Sequence, residues 1–114
     1  MRPGEVYRAL DDSGKPRRFI VVSREELNRG DYVLVVPVTG ANFETRRSLR
    51  NCVPLHAGQF GFTKDCVAQA ELTISIDKTL LMIGAGPVGK LDDEAMRALI
   101  RAIGYVIESQ CEPD

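Results

Sequence analysis

The sequence has no tryptophan and one histidine, and only 6% of its 114 residues are aromatic. The lone histidine, His56, excludes acid–base catalysis by a pair of histidines. The three cysteines, Cys52, Cys66 and Cys111, are odd in number and lack a C-x-x-C spacing, which argues against a disulfide framework and a zinc ribbon. We therefore expect no metal site, and we expect Cys66, within an apolar run, to be a small buried hydrophobe rather than a nucleophile.

The chain also lacks an excess of charge and a long hydrophobic run. Lys and Arg number 15 against 16 Asp and Glu, and this net charge of −1 excludes the polycationic surface of a general nucleic-acid coat. Any polyanionic partner must therefore bind a local patch. No window approaches the roughly 18 apolar residues of a membrane span, and no signal peptide is evident, so we expect a cytoplasmic protein without membrane association.

What is present suits one small, mainly β domain. A length of 114 residues predicts a single domain over residues 1–114, and the 44% apolar residues supply its core. Runs of β-branched residues separated by turn formers predict six short strands. These predicted strands lie at residues 6–10, 19–22, 32–36, 51–55, 66–71 and within 80–88.

Two helices are predicted between and after the strands. Ser23 and Glu26 have the spacing of a capping box, which predicts a short inserted helix. From Asp92 onward, apolar residues recur at helical spacing and predict a C-terminal α-helix with Asp92 as its N-cap. Gly104 costs such a helix about 1 kcal/mol relative to alanine, which indicates close approach to a strand or a partner.

Residues 84–89 read G-A-G-P-V-G, the spacing of a dinucleotide-binding fingerprint. Such a site needs the glycine turn to open directly into a helix, whereas Pro87 and then Lys90–Leu91 precede Asp92. Only 25 residues follow Gly89, too few for the returning strand of a βαβ unit. We interpret these glycines as part of a bent strand and expect no cofactor.

Arginine is the chemically distinctive residue type, and it concentrates at two places. Arg17 and Arg18 begin the second predicted strand, and three more arginines lie in segment 41–50, which we predict to be an exposed and mobile loop. Guanidinium groups bind phosphate through paired hydrogen bonds, although solvated loop arginines are also common. These residues alone indicate a small β domain with an arginine-bearing face.

Five segments carry a more specific pattern through their order along the chain. Residues 3–7 read P-G-E-V-Y, residues 17–23 read R-R-F-I-V-V-S, and residues 35–39 read V-V-P-V-T. Further on, residues 76–78 read I-D-K and residues 91–96 read L-D-D-E-A-M. In this order the segments resemble the MazF/PemK toxins of bacterial type II toxin-antitoxin systems, in the CcdB/PemK superfamily.

This resemblance implies a fold and an activity. The fold would be a small SH3-like barrel of the CcdB/PemK type with a short inserted helix and a C-terminal α-helix. The activity would be that of an endoribonuclease toxin that cleaves single-stranded RNA, mRNA in particular, without a metal or cofactor, through attack of the RNA's own 2′-hydroxyl.

The resemblance also assigns catalytic roles. Arg17 takes the place of the family's arginine and would stabilise charge on the scissile phosphate, and Thr39, at the family's active-site threonine, would hold a phosphate oxygen. Glu71 would either accept the 2′ proton or be a solvated carboxylate without a catalytic role, and the sequence favours neither alternative. Other residues are expected to bind substrate, with Phe19, Phe43 and Phe60 as possible base-stacking platforms. The expected substrate-binding residues are Lys15, Arg18, Phe19, Arg46, Arg47 and Gln69.

The chain departs from the family pattern near the expected RNA groove. Arg18 stands where the family has proline, while Leu72 and Ile74 replace a glutamine and an arginine. One alternative is therefore a protein of the same fold that binds RNA or a partner chain with weakened or no catalysis, and another is a CcdB-like gyrase inhibitor. The resemblance further implies a homodimer whose groove spans both subunits, and a cognate antitoxin whose acidic, disordered segment covers that groove.

Overall fold

A computed structural model describes residues 1–81 and 85–108 of the chain. The described residues form seven strands, two α-helices and three short 3-10 turns. The strands are β1 (Glu5–Leu10), β2 (Pro16–Val21), β3 (Tyr32–Thr39), β4 (Cys52–Leu55), β5 (Cys66–Gln69), β6 (Ile74–Asp77) and β7 (Gly89–Lys90). The helices are α1 (Phe43–Arg46) and α2 (Asp93–Ile107), and the 3-10 turns are Leu27–Arg29, Ala70–Leu72 and Lys78–Leu80.

The strands form one antiparallel sheet with the order β4-β5-β3-β2-β1-β7. Strand β3 is long enough to pair with two successive strands along one edge, β6 near Tyr32 and β5 near Thr39. Its other edge pairs with β2. The predicted mainly β fold with a C-terminal helix is confirmed, and β6 is a strand that the sequence pattern did not predict.

The apolar runs of β2 and β3 contribute buried side chains to both faces of the sheet. Ile20 and Val21 adjoin in sequence but belong to different apolar clusters, because alternate side chains of a strand point to opposite faces. Helix α2 covers one face, where Leu99 and Ala102 pack in the cluster of Ile20. On the other face Val21 packs with Tyr7, Ala9, Val33, Val35 and Leu81.

Helix α2 begins as predicted. The Asp92 side chain accepts a hydrogen bond from the Ala95 amide at 2.8 Å, which satisfies one of the donors left open at a helix start. At Gly104 no described atom lies within 4 Å of the position that a Cβ would take. The predicted close approach of Gly104 to a strand is therefore wrong. Within residues 1–81 and 85–108, none of the helices combines the length and the apolar character that crossing a bilayer requires.

The predicted capping box after β2 is not formed. Ser23 instead donates its hydroxyl to the Asn28 side chain and accepts a hydrogen bond from the Leu34 amide at 3.0 Å. Asn28 is only 3% exposed, and its amide nitrogen donates to the carbonyls of Met1 and Ser23. This buried network ties the segment to β3, so the inserted helix here is reduced to the 3-10 turn Leu27–Arg29.

The arginine-bearing segment 41–50 is largely exposed, as its composition predicted, but it is not an irregular loop throughout. It contains α1, and Phe43 is buried against Cys52 and Val67. A single buried aromatic side chain thus fixes the segment to β4 and β5. The strand predicted within 80–88 includes residues 82–84, which lie outside the described residues; the structure places β7 just beyond it, at Gly89–Lys90.

Candidate active site

The start of β2 and the end of β3 lie side by side because the two strands are antiparallel neighbours. Arg18 pairs with Val38, and one further step in the same register brings Arg17 opposite Thr39. Strand alternation then places the Arg17 and Thr39 side chains on the same face. Both residues line one open groove of about 360 Å³.

Part of the groove wall comes from the segment that leads into β5. Arg17, Arg18 and Thr39 were predicted to lie in the site, whereas Thr63 and Lys64 were not. Their sequence signal was weak, because a single lysine in a turn-rich segment is usually just solvated. The other residues that line the groove are Pro16, Val38, Gly40, Phe62 and Cys66.

Arg17 is held by a carboxylate that sequence reasoning did not identify. Its Nε donates to Asp11 Oδ2 at 2.9 Å, and the other Asp11 oxygen accepts hydrogen bonds from the Ser13 amide and hydroxyl and from the Lys15 amide. The Ser13 hydroxyl and the Arg17 guanidinium hold the pKa of the Asp11 carboxyl well below its usual 3.8. In the described part of the chain, the terminal nitrogens of Arg17 donate to no protein group, and their donors remain for a ligand.

Thr39 is oriented by the turn that follows β3. Its hydroxyl oxygen accepts a hydrogen bond from the Ala41 amide at 3.2 Å. A hydroxyl that accepts in this way still has its own hydrogen to donate. Thr39 therefore offers a donor to an anionic oxygen in the groove, as does Arg17 beside it.

Arg18 lies on the opposite side of β2 from Arg17. Its Nη1 donates to the Gly61 carbonyl at 3.0 Å, and its Cζ lies 5.4 Å from the centre of the Phe62 ring. Burial raises the pKa of the Cys66 thiol to about 11, although the nearby Arg18 charge opposes that shift. The thiol is protonated at neutral pH and offers no nucleophile.

Two other predicted site residues lie along β5 and beyond it, outside the groove. Glu71 lies in the 3-10 turn after β5, where its carboxylate accepts a hydrogen bond from the Asn51 side chain. Gln69 ends β5 and pairs with Cys52. The structure does not bring Glu71 or Gln69 together with Arg17, and their proposed roles stay predictions.

The remaining candidates also lie outside the groove. Lys15 is an exposed residue of the β1–β2 loop, and Phe19 is half-buried against the cluster that contains Val21. Arg46 donates to the Ala41 carbonyl at 3.1 Å. The roles of Lys15, Phe19 and Arg46 in substrate binding stay predictions.

The Arg47 guanidinium covers a buried aromatic ring. Its Cζ lies 5.1 Å from the centre of the Phe43 ring. The buried Phe43 leaves no open ring face for a base, so its predicted stacking role is wrong. The substrate-binding role of Arg47 stays a prediction, as does stacking on the half-buried Phe60.

No metal-binding cluster of three or more His, Cys, Asp or Glu residues occurs among the residues that the structure describes. The groove is instead lined by the cationic residues Arg17, Arg18 and Lys64 and by the hydroxyl residues Thr39 and Thr63. Such donors bind and stabilise an anion, and a phosphate group in particular.

Comparison with known proteins identifies the family. The family model of the PemK-like, MazF-like toxins of type II toxin-antitoxin systems matches residues 3–107. The Mycobacterium tuberculosis toxin MazF-mt6 is similar in structure, with a TM-score of 0.75 and 26% identity over 91% of this chain and 96% of that one. No curated protein sequence matches the chain.

Two complexes have the same fold at lower identity. One is an endoribonuclease in complex with its cognate antitoxin from a mycobacterial species, with a TM-score of 0.76 and 21% identity over 99% of both chains. The other is the MazE–MazF structure from Deinococcus radiodurans, with a TM-score of 0.75 and 16% identity over 95% of both chains. These likenesses confirm the predicted fold type, and the match over residues 3–107 shows that the chain belongs to the family of PemK-like, MazF-like toxins of type II toxin-antitoxin systems.

Proposed function

We propose that this toxin is an endoribonuclease that cleaves single-stranded RNA through attack of the RNA's own 2′-hydroxyl. One observation carries the proposal: Arg17 and Thr39, from two neighbouring strands, line a single groove. Family membership supplies the reaction class, and the fixed positions of these two donors supply the means to act on a phosphodiester.

In the proposed reaction the 2′-hydroxyl loses its proton and its oxygen forms a bond to phosphorus. The bond from phosphorus to the 5′-oxygen breaks, and that oxygen takes up a proton from water. The products are a 2′,3′-cyclic phosphate and a 5′-hydroxyl end. Arg17 neutralises the charge that develops on the phosphate oxygens, a role worth about 3 to 4 kcal/mol for a preorganised donor. Thr39 donates its hydroxyl to one of those oxygens and fixes the phosphate in place.

Two carboxylates, those of Glu71 and Asp11, are candidates for the acceptor of the 2′ proton. Glu71 is the residue predicted from sequence, but its carboxylate bonds to Asn51 outside the groove. Asp11 contacts Arg17 directly, yet its lowered pKa makes its carboxylate a weak base. We therefore place Asp11 as a positioning residue, and we leave the role of Glu71 as a prediction that substitution decides.

We further propose a homodimer and a cognate antitoxin. Helix α2 leaves Ile100, Tyr105 and Ile107 exposed, and a second copy would bury this apolar surface. The cationic groove suits an acidic, disordered antitoxin segment that folds on binding. One of the similar structures is an endoribonuclease with its cognate antitoxin, which supports the same assembly here.

The test is cleavage of mixed single-stranded RNA in the presence of EDTA. We expect fragments that end in 2′,3′-cyclic phosphate, and we expect Arg17→Ala to lower kcat/KM about 100- to 1,000-fold. Thr39→Val should also lower kcat, whereas Thr39→Ser keeps the hydroxyl. Arg29→Ala, which removes the same charge from the exposed 3-10 turn Leu27–Arg29 outside the groove, is the matched control and should cleave normally. Intact RNA at excess protein contradicts the proposal.

A second candidate is an RNA- or partner-binding protein of this fold without catalysis. The observation that favours it is the exposure of Leu72 and Ile74, at 50% and 52%, where the family resemblance led us to expect polar residues. This candidate predicts RNA binding or a stable partner complex with no cleavage by the unsubstituted protein. Inhibited supercoiling by gyrase with the RNA intact would instead favour the CcdB-like alternative.

A further inference from the structure

We propose that Arg18 and Lys64 form a second phosphate-binding position in the groove, which holds the RNA phosphate next to the one at Arg17 and Thr39. The inference rests on the proposed RNA substrate and adds a substrate-positioning site to it. Arg18 and Lys64 line the same groove as Arg17 and Thr39, from two different segments of the chain.

Arg18 is fixed in place but not neutralised. The Gly61 carbonyl and the Phe62 ring hold its guanidinium at 3.0 Å and 5.4 Å, and Phe62 itself is only 3% exposed. The carbonyl uses one of five guanidinium N–H donors. Among residues 1–81 and 85–108, no carboxylate forms an ion pair with Arg18, so its full charge is presented to the groove.

Arg17 and Arg18 reach the groove from different sides of β2. They are consecutive residues of β2, so their side chains leave the strand on opposite faces. The groove lies at the start of β2 and is lined by both residues. A single strand of RNA that follows this groove meets the two guanidiniums at different points of its backbone.

Lys64 supplies the second charge of this position from the segment that precedes β5. It is exposed, and within the described ranges it has no carboxylate partner. The neighbouring Asp65 carboxylate accepts a hydrogen bond from the Ala57 amide at 2.9 Å and lies 3.7 Å from His56, so it is already engaged. The Arg17 charge is balanced by Asp11, and the uncompensated positive charge of the groove therefore belongs to Arg18 and Lys64.

This arrangement predicts that two pairs of residues in the groove have different roles. Arg17 and Thr39 act where charge develops, whereas Arg18 and Lys64 bind a phosphate that does not react. Loss of such uniform binding raises KM and leaves kcat unchanged. Because phosphate is common to all nucleotides, the position adds affinity without base preference.

The experiment measures RNA binding as a function of salt in an Arg17→Ala background, which prevents cleavage. Fluorescence anisotropy of a labelled single-stranded oligonucleotide gives log K against log salt concentration. Each lost phosphate contact should make the slope shallower by about 0.7. We expect this change for Arg18→Met and for Lys64→Met, and about twice the change for the double variant. Methionine keeps the unbranched stem of each side chain.

Arg29→Met removes one charge outside the groove and should leave the slope unchanged. The second position is overturned if Arg18→Met and Lys64→Met have the same slope as the parent. It is also overturned if Arg29→Met changes the slope by the same amount as they do. Thermal melts confirm that Arg18→Met folds, and Arg18→Lys, which keeps the charge, should restore the slope.

Cleavage by the protein with Arg17 intact separates this inference from the nuclease proposal. If RNA is cut and KM does not change in Arg18→Met or Lys64→Met, the nuclease stands and the second position is wrong. If RNA is not cut but the salt slopes change as expected, the second position stands and the nuclease is wrong. If the protein binds no RNA, both proposals are wrong.

Discussion

Asp11 Oδ2 lies 2.9 Å from Arg17 Nε, across the β1–β2 hairpin, so the turn itself orients the proposed catalytic arginine. Replacement by Asp11→Asn keeps the size of the side chain but removes the charge. We expect kcat for RNA cleavage to fall about 10- to 100-fold because a misplaced guanidinium meets the phosphate poorly. The neighbouring Asp12 is exposed, and Asp12→Asn should leave kcat unchanged. Equal rates for Asp11→Asn and the parent would remove Asp11 from the mechanism.

The hydrogen bonds to Asp11 also determine its pH dependence. They lower the pKa of its carboxyl below 3.8 in the folded protein, so the ionised form and its stabilising contacts persist above that value and are lost only as the pH falls through the lowered pKa. We therefore expect the pH–rate profiles of the parent and Asp11→Asn to have the same shape above about pH 4. The check is kcat/KM from acidic to mildly basic pH. An acidic limb near neutrality that disappears in Asp11→Asn would contradict this assignment.

Substitution of Glu71 tests the catalytic role that the family resemblance predicts for this residue. Because its carboxylate bonds to Asn51 and lies outside the groove, we expect Glu71→Gln to keep kcat within about threefold of the parent. The same substitution should lower the melting temperature slightly if the bond to Asn51 matters for stability. A loss of about 100-fold in kcat with an unchanged melting temperature would instead support the predicted role of Glu71 as proton acceptor.

Two glycines offer the same substitution with opposite expected results. A Cβ at Gly89 would overlap the carbonyl oxygen of Phe60, so Gly89→Ala should lower the free energy of unfolding by about 2 to 3 kcal/mol. Gly104 has open space around it in α2, so Gly104→Ala should raise that free energy by about 1 kcal/mol. Urea unfolding curves measure both changes. Equal effects of the two substitutions would contradict the close packing at Gly89.

Cys66 lies in the groove wall, but its thiol should be unreactive toward alkylating reagents. Burial raises the pKa of its thiol to about 11, so the reactive thiolate is scarce at pH 8. We expect iodoacetamide to leave Cys66 unmodified in the native protein and to modify it in urea, as read by mass spectrometry of the Cys66 peptide. Rapid native labelling of Cys66 would show that the groove wall opens to solvent.

Most of the fold could be predicted from the sequence, because its strands are short, apolar and separated by strong turn signals. The runs at β2 and β3 and the Asp92 cap follow from local chemistry, and the structure has them as expected. The Ser23 capping box was wrong because a tertiary partner, the buried Asn28, took the Ser23 hydroxyl. Segment 41–50 is exposed as predicted, but helix α1 and the burial of Phe43 were not predicted, because composition does not reveal tertiary contacts.

Some residues of the candidate site could be predicted from the sequence and others could not. Arg17 and Thr39 were identified because family motifs mark them, and the sheet register brings them together. Asp11, Lys64 and Thr63 were missed because their roles depend on contacts between segments that lie far apart in sequence or across a turn. No periodicity or motif in one sequence reports such contacts.

Strand β3, which presents Thr39, hydrogen-bonds to β2 on one edge and to β5 and β6 on the other. A local opening of its centre would break pairings on both sides at once. Its central amide protons should therefore exchange with deuterium only through global unfolding, whereas the outer strands β4 and β7 fray on their own. We therefore expect Thr39, at the end of β3, to be carried by one of the most slowly exchanging strands of the protein.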